Sequence, residues 1–558
     1  MLLSGADILI NMLIEQGCDT VFGYPGGQIL DVYDSLYKYK DKINHILTAG
    51  EQGACHAADG YARATGRVGV VISTSGPGAT NLVTGIATAY LDSVPLVAIC
   101  GNVPTYQIGT DSFQEIDITG ITLPITKHNY FVGSVNQLSD VIKEAFLLAQ
   151  SGRPGPVLID IPKDVQMAVC EYIPGSKVCK QEAFAAKDIR IQTASEIINS
   201  AKRPYVYFGG GIVSSHAQKE MLALAERIDA PIGSSMMGLA AIASNTPRYL
   251  GMNGMHGHIA ASLAMNSADV IISLGVRFSD RVTGDRERFA PGARIVHIDI
   301  DGSELSKTVP ATCAMRGDIK LTLEKLLPMI KEVKRPLWWK KIAEYQVIEA
   351  ASSDNREGMT PKNILSTVNN FLGENTAVAT DVGQHQMWSA QNLKLRRERR
   401  FISSCGLGTM GFGLGAAIGA YYGTGERSIL ITGDGSFGMS LSELATCVTY
   451  NIPVTILIMN NKVLGMVRQW QTLFFDKHYS HTELDRKTDF VSLAKSFGAQ
   501  GASVDSVKDL AVALESAAKY NGPFVIDCAV DKDEVVLPMQ PPNGTAEDII
   551  VTMEDQNE

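Results

Sequence analysis

The sequence predicts an α/β fold of three open, mostly parallel-sheet domains, and three observations carry that prediction. Short apolar runs rich in β-branched residues recur along the whole chain, as at 68–74, 204–208, 270–274 and 429–432, and such runs read as strands buried on both faces. Glycines and then a stretch of helical period follow them, the alternation expected of β-α-β units. The chain has 558 residues, 45% of them hydrophobic and 19% charged, enough to build three or four cores at about 150 residues each.

The chain is organised around the run 429–437, Ile-Leu-Ile-Thr-Gly-Asp-Gly-Ser-Phe, answered by Val-Thr-Ile-Leu-Ile-Met-Asn-Asn at 454–461. Between them, 440–450 is helical in pattern and is closed by Asn451 and Pro453. The crossover of such a unit is right-handed, so the strands run parallel and share one carboxyl edge. Asp434 and Asn461, 27 residues apart, meet there. A hard carboxylate and an amide oxygen beside Gly433 and Gly435 suit Mg²⁺ carrying a diphosphate. A turn aspartate and a loop asparagine occur in any α/β sheet, but the Asn-Asn pair closing the next strand favours the metal.

Bulk properties exclude other classes. Net charge is −10, and the one basic tract, 394–400, reads as a solvated helix end or loop, so no nucleic acid is expected. No apolar run has membrane-spanning length, and Asp7 and Glu15 make the N-terminus an amphipathic helix, not a signal peptide. The nine cysteines are dispersed without metal or redox spacing, which suits reduced thiols and a cytoplasmic location.

The first domain is expected over 1–170. A helix at 7–16, a strand at 20–22 and the turn 23–27 lead to an extended run at 44–49. Glu51 opens the helix 54–65, where a carboxylate is ordinarily held by the free N–H groups of the first turn. The strand 68–74 runs into Ser75-Gly76-Pro77-Gly78-Ala79-Thr80-Asn81, a turn that lets a ligand approach closely. Strand 94–100, the polar loop 109–115 and a last strand at 157–161, ending in Pro-Lys-Asp, complete it.

A linker over 171–189 precedes the middle domain, 190–330, with a helix from Thr193 to Ala201 and strands at 204–208, 270–274 and 294–300. Its Gly209-Gly210-Gly211 departs from the dinucleotide fingerprint, so a nucleotide site and a plain structural domain both fit the pattern. A helix over 321–350 and a loose stretch at 352–358 lead to the last domain, 360–535, where Thr360-Pro361 reads as a helix cap and first-turn proline. A strand at 377–380 follows. The turn Gly406-Leu-Gly-Thr-Met-Gly411 matches Gly-x-Gly-x-x-Gly, a weak signal alone; beside the 429–461 unit it reads as a cradle for the middle of a cofactor. An arm, 536–558, closes the chain.

These motifs together resemble the acetohydroxyacid synthase (acetolactate synthase) family of thiamine-diphosphate enzymes over nearly the whole chain. The resemblance implies a pyrimidine-binding first domain, with Pro25, Glu51 and Asn81 at the coenzyme and Glu51 sharing a proton with its aminopyrimidine ring. Phe113, Gln114 and Lys163 would line the substrate pocket. A diphosphate-binding last domain is implied, with Val382, Gly383, Gln384, His385, Gly408 and Met410 around the coenzyme. Gly433, Asp434, Gly435, Ser436, Asn461, Leu464, Gly465 and Met466 would complete it, and Asp434, Asn461 and the Val463 carbonyl would hold Mg²⁺.

FAD is implied in the middle domain. Its contacts would be Arg153 with Gly209, Gly210, Gly211, Met255, His256, Gly257, Gly275 and Arg277. Asp280, Val282, Asp299, Ile300, Glu304, Gly317 and Asp318 would follow. Gln28 and Ser279 depart from the family pattern. Arg281 would hold a second 2-oxoacid, and Trp470 would shape its pocket. The implied reaction decarboxylates pyruvate and transfers the two-carbon unit to a second pyruvate or to 2-oxobutyrate, the first common step of branched-chain amino-acid biosynthesis. A homodimer or homotetramer is implied, with a small regulatory subunit as a further partner. The rivals are a flavin-dependent pyruvate oxidase, a catabolic acetolactate synthase without flavin, and a scaffold with a dead site.

Overall fold

The computed structural model describes residues 1–175, 177 and 182–553. The linker expected over 171–189 and the arm expected over 536–558 therefore fall partly outside the described residues.

Three six-stranded sheets, each wholly parallel, follow one another along the chain. The first holds β1 (Thr20–Gly23), β2 (Asn44–Leu47), β3 (Gly69–Ser73), β4 (Leu96–Asn102), β5 (His128–Phe131) and β6 (Pro156–Pro162), in the order β2-β1-β3-β4-β6-β5. The second holds β7 (Pro204–Phe208), β8 (Ile232–Ser234), β9 (Tyr249–Met252), β10 (Val270–Leu274), β11 (Arg294–Asp299) and β12 (Cys313–Arg316), in the order β9-β8-β7-β10-β11-β12. The third holds β13 (Val378–Thr380), β14 (Phe401–Ser403), β15 (Ser428–Gly433), β16 (Val454–Asn460), β17 (Gln500–Val504) and β18 (Phe524–Ala529), in the order β14-β13-β15-β16-β18-β17.

The first and third sheets thus share one topology, and the second has the strand order of a dinucleotide-binding sheet. Ligands of such sheets bind beyond the carboxyl ends of the strands where the order reverses. In the first sheet that point lies between β1 and β3, so it falls at the turns 23–27 and 75–81. In the third it lies between β13 and β15, at 381–385 and 433–436. In the second it lies between β7 and β10, at Gly209–Gly211 and Gly275.

Strands buried throughout, such as β3, β10 and β15, need apolar side chains on both faces, which is why their runs were legible. The less regular edges were not. The structure adds β5, β8, β9, β12, β14, β17 and β18; the run at 157–161 is, as expected, the last strand of its sheet along the chain, with β5 paired outside it. The helix expected from Thr193 starts earlier, at Asp188. The helix expected over 321–350 is two, Ile319–Leu326 and Pro336–Ala351, because Pro328 and Pro336 withhold the amide donors a continuous helix needs. The crossover expected at 440–450 begins at Asp434 itself and is broken near Ser440–Glu443. A short antiparallel pair, Leu2–Ser4 with Val169–Glu171, ties the N-terminus down.

The first and third units pack through two helices, α1 (Glu51–Thr65) and α2 (Gly413–Thr424). Their contact is made of small residues. A Cβ at Gly60 would strike the Ala416 carbonyl, and one at Gly419 would strike the Ala57 carbonyl. Since the obstacle is backbone, the helices must part to admit it. Gly419→Ala is expected to destabilise the protein by about 1–3 kcal/mol, outweighing the roughly 1 kcal/mol that alanine gains as a helix former. Thermal unfolding reads this out, and a midpoint at or above that of the parent refutes it. The basic tract 394–400 is a loop, as expected, but it is not wholly solvated: Arg399 and Arg400 donate to the Arg63 and Ala64 carbonyls across this contact.

Candidate active site

The reversal point of the third sheet gathers most of the residues expected at a diphosphate. Asp434 opens the helix α3 (Asp434–Ser440) directly beyond β15, is buried, and forms no ion pair among the described residues; burial pushes its carboxyl up to about 6. Asn461 follows β16, is buried, and donates from Nδ2 to Gln384 Oε1 at 3.1 Å. Its Oδ1 accepts from the Val463 amide at 3.2 Å and keeps a second lone pair. Lys462, at φ 59°, makes the sharp bend that carries the chain from Asn461 into Val463. Gly465 has no room for a Cβ because the Gln384 amide and Asn461 Nδ2 occupy the space.

The His385 imidazole sits against Gly383 and Gly433, each of which would crowd it with a Cβ. Burial pushes its pKa down to about 3, so it is neutral, and its buried Nε2 has no protein partner. Ser436 Oγ donates to the Val382 carbonyl at 3.0 Å, joining the two loops. Met410, Leu464 and Leu484 converge on Gly435, forming an apolar wall next to these polar groups. Gly408 lies beside Val382, and Met466 packs on the sheet behind.

These residues fit a magnesium diphosphate. An orphaned ring nitrogen and a buried, unpaired carboxylate both require a polar guest. Among the described residues no cluster of three or more His, Cys, Asp or Glu is poised for a metal. One carboxylate, one amide and one carbonyl is the sparse donor set that Mg²⁺ completes with phosphate oxygens and water.

At the reversal point of the first sheet, Glu51 is the first residue of α1 and accepts from Asn81 Nδ2 at 2.9 Å. Gly78 lies against its Oε1, and Gly76, at φ 58°, packs on Gln114, itself left-handed at φ 63°. Lys163 donates to the Gly27 carbonyl at 3.0 Å and so braces the turn that contains Pro25. Glu115 accepts from the Gly109 and Ser112 amides and pins the loop from which Phe113 projects, 83% exposed. Glu51, Asn81 and Gln114 are thus brought together. No hydrogen bond or ion pair among the described residues joins Glu51 to the Asp434–Asn461 edge.

In the second sheet the Gly209 and Gly211 backbone approaches Gly275 so closely that no side chain fits at either place. Asp299 ends β11, and burial pushes its carboxyl up to about 6. Next to it, beyond Ile300, Arg153 of the first unit pairs with Glu304 at 2.7 Å and Asp301 at 3.3 Å. Gly317 has no room for a Cβ because the chain at Ala186 crosses it, and Asp318 caps the following helix by accepting from the Leu321 amide at 3.0 Å. A glycine crossing at the reversal point and carboxylates one strand away suit a nucleotide's phosphates and ribose.

The second unit, the third unit and the C-terminal arm meet around Arg281. Its guanidinium lies 5.9 Å from the Trp470 ring centroid and donates towards Met255 Sδ at 3.7 Å. Gln540 donates its amide to the Met255 carbonyl at 2.8 Å, and the segment 540–543 walls a shallow cleft with Asp280 and Arg281. Buried His256 lies under this arm, and Val282 packs beside Gly254. Arg277 lies within electrostatic reach of Cys405, in the loop that follows β14.

Sequence reasoning missed the residues that shape these loops. Asp381, wholly buried, accepts from the Gly411 and Gly413 amides and from Thr432 Oγ1, so it sets the 406–413 turn. Its position one residue beyond a predicted strand was the available signal. Glu443, Asp92, Leu484 and Gln469, whose Oε1 accepts from Gln384 Nε2 at 3.2 Å, left no signal, because each meets its partner only through the tertiary fold.

Family models described as thiamine pyrophosphate enzyme N-terminal TPP binding domain, central domain and C-terminal TPP binding domain match residues 3–121, 191–326 and 381–528. The fold and site therefore define a thiamine-diphosphate-dependent enzyme. Within that class, the chain is 42% identical to an acetolactate synthase large subunit of Buchnera aphidicola subsp. Schizaphis graminum, over 97% of both chains. It is 45% identical to one from Parasynechococcus marenigrum, covering 97% of this chain and 90% of that one. It is 40% identical to the acetolactate synthase isozyme 3 large subunit of Escherichia coli, over 97% of both. The chain belongs to the acetolactate synthase large-subunit family. No helix among the described residues is long and apolar enough to cross a membrane.

Proposed function

We propose that the protein joins two 2-oxoacids, releasing CO₂ from pyruvate and delivering the two-carbon unit to a second pyruvate or to 2-oxobutyrate, to give 2-acetolactate or 2-aceto-2-hydroxybutyrate. The observation that carries this reading is the Arg281–Trp470 pair beside the 540–543 arm, a cation and an indole brought together from two units at the mouth of a cleft. A guanidinium takes a carboxylate bidentately, and an indole gives the acyl chain a flat wall. Bound thiamine diphosphate supplies the electron sink that decarboxylation of a 2-oxoacid demands.

The chain's own residues do the rest. Asp434, Asn461 Oδ1 and the Val463 carbonyl would hold Mg²⁺, and the neutral His385 ring, in the tautomer protonated at Nε2, would donate to the diphosphate. Met410 and Leu464, which form the apolar wall at Gly435, would pack against the coenzyme. Glu51 holds a proton at the aminopyrimidine ring. Lys163, Phe113 and Gln114 line the entry, and the 536–553 arm excludes water. The second sheet takes FAD along Gly209–Gly211, Gly275 and Asp299, as a structural group. The protein works in the cytoplasm as a homodimer or homotetramer, in which Glu51 of one copy faces the Asp434 edge of another. The lack of a hydrogen bond or ion pair between Glu51 and the Asp434–Asn461 edge among the described residues, and the exposure of Phe113, support that arrangement. A small regulatory subunit is a further partner.

Product analysis with pyruvate alone and with 2-oxobutyrate in competition tests the reading. Both hydroxyacids are expected; oxygen uptake with stoichiometric peroxide and no acetolactate would overturn it in favour of an oxidase. Arg281→Lys loses the two-pronged grip on the acceptor's carboxylate. Its kcat/KM is expected to fall on the order of tenfold, mainly through the acceptor's KM, with coenzyme affinity unchanged. Unaltered acceptor kinetics would remove Arg281 from this role.

A further inference from the structure

The catalytic reading of Glu51 leaves open what holds it in place. Glu51 starts α1 from an extended glycine; in its own unit Thr48 Oγ1 donates to the Gly50 carbonyl at 2.9 Å, but the Ala49 and Gly50 amides are held from elsewhere. The brace comes from the third unit. Glu443 is buried, 3% exposed, and its carboxylate takes both of the amides that precede Glu51. Ala49 N donates to Oε2 at 3.0 Å and Gly50 N to Oε1 at 3.1 Å. Thr446 Oγ1 donates to Oε2 at 2.7 Å, orienting the carboxylate. Gly53, one turn into α1, lacks a Cβ where Glu443 Oε1 lies. Tyr450 adds a third hydrogen bond between the units by accepting from the Leu47 amide at 3.0 Å.

Glu443, Thr446 and Tyr450 all belong to the crossover between β15 and β16, the segment that starts at Asp434 and ends at Asn461. The opposite contact exists too. Asp92 of the first unit accepts from the Cys405 and Gly406 amides at 2.9 and 2.7 Å, and its partner Arg63 reaches it at 2.9 Å. Those amides lead into the 406–413 turn that carries Met410. Each unit therefore sends one buried carboxylate onto two consecutive amides of the other's coenzyme loop.

We propose that Glu443 is a positioning residue for the reaction: it fixes the backbone from which Glu51 reaches the coenzyme, and through the 434–461 crossover it ties that position to the magnesium edge of the same chain. A carboxylate near a helix start also stabilises folding in general, so the test must separate placement of Glu51 from stability. The inference rests on Glu51 acting as proton relay.

The full chain, loaded with Mg²⁺ and thiamine diphosphate and free of substrate, is transferred to D₂O, and loss of the coenzyme's thiazolium C2 proton is followed by quenched-flow NMR. Glu443→Gln keeps the shape but gives one amide a donor to face. It is expected to slow exchange on the order of 10- to 100-fold, with coenzyme affinity held within about twofold. Thr446→Val, which keeps the charge and loosens its orientation, is expected to slow exchange by about two- to tenfold, and it serves where Glu443→Gln fails to fold. Glu51→Gln is the reference. Unchanged exchange in the Glu443 and Thr446 variants with slow exchange in Glu51→Gln overturns the inference alone. Slowing matched by an equal loss of affinity also overturns it, as the mark of a general structural role. Normal exchange in Glu51→Gln would instead remove the reading beneath it.

Discussion

Glu51→Gln is expected to lower turnover by on the order of 10²- to 10⁴-fold, the range for losing a positioned proton-transfer group. The side chain keeps its length and can still meet the Asn81 amide, whose bond to Oε2 spans 2.9 Å. What it loses is the ability to give and take a proton. The backbone is untouched, because Ala49 and Gly50 remain held by Glu443. Thermal stability and coenzyme binding should therefore stay close to those of the parent while both steps of the reaction slow together. Turnover near the parent value would show that the proton is handled elsewhere.

Asp434→Asn should abolish coenzyme retention more thoroughly than any other single change at the third sheet. Asp434 is the only carboxylate in the proposed donor set, and among the described residues it forms no ion pair. With a neutral amide, Mg²⁺ would keep only uncharged protein ligands. Apparent affinity for the Mg²⁺–coenzyme pair is expected to fall on the order of 100-fold or more. The apoprotein should fold at least as well, since the change removes a buried charge that desolvation disfavours. Titration of coenzyme into metal-loaded protein, followed by tryptophan fluorescence, measures the affinity. Retention of tight binding would move the magnesium site away from this edge.

Much of the site was legible because its parts are local. Gly433-Asp434-Gly435, the Asn460-Asn461 pair and the turn 75–81 are runs a few residues long, and their chemistry is written in residue type and spacing. The helix cap at Thr360 was equally local, and Thr360 Oγ1 does accept from the Asn363 amide. The elements that escaped notice were short edge strands such as Phe401–Ser403 and Cys313–Arg316, where three or four residues carry too little period to read. The broken helix after Ile319 escaped for another reason: the apolar period outweighed two prolines.

By itself the sequence determined the alternation of strand, glycine turn and helix, the residues proposed as magnesium donors, and the kinship that names the chemistry. Only the tertiary structure decided the strand orders, and with them the fact that all three sets of glycine turns lie at points where a sheet reverses. It alone decided that Arg281 meets Trp470, and that Glu443 and Asp92 each grip the other unit's loop. The reason is physical: local motifs report what a backbone can hold, whereas contacts between residues hundreds of positions apart exist only once packed sheets and glycine-lined helices have set the distances.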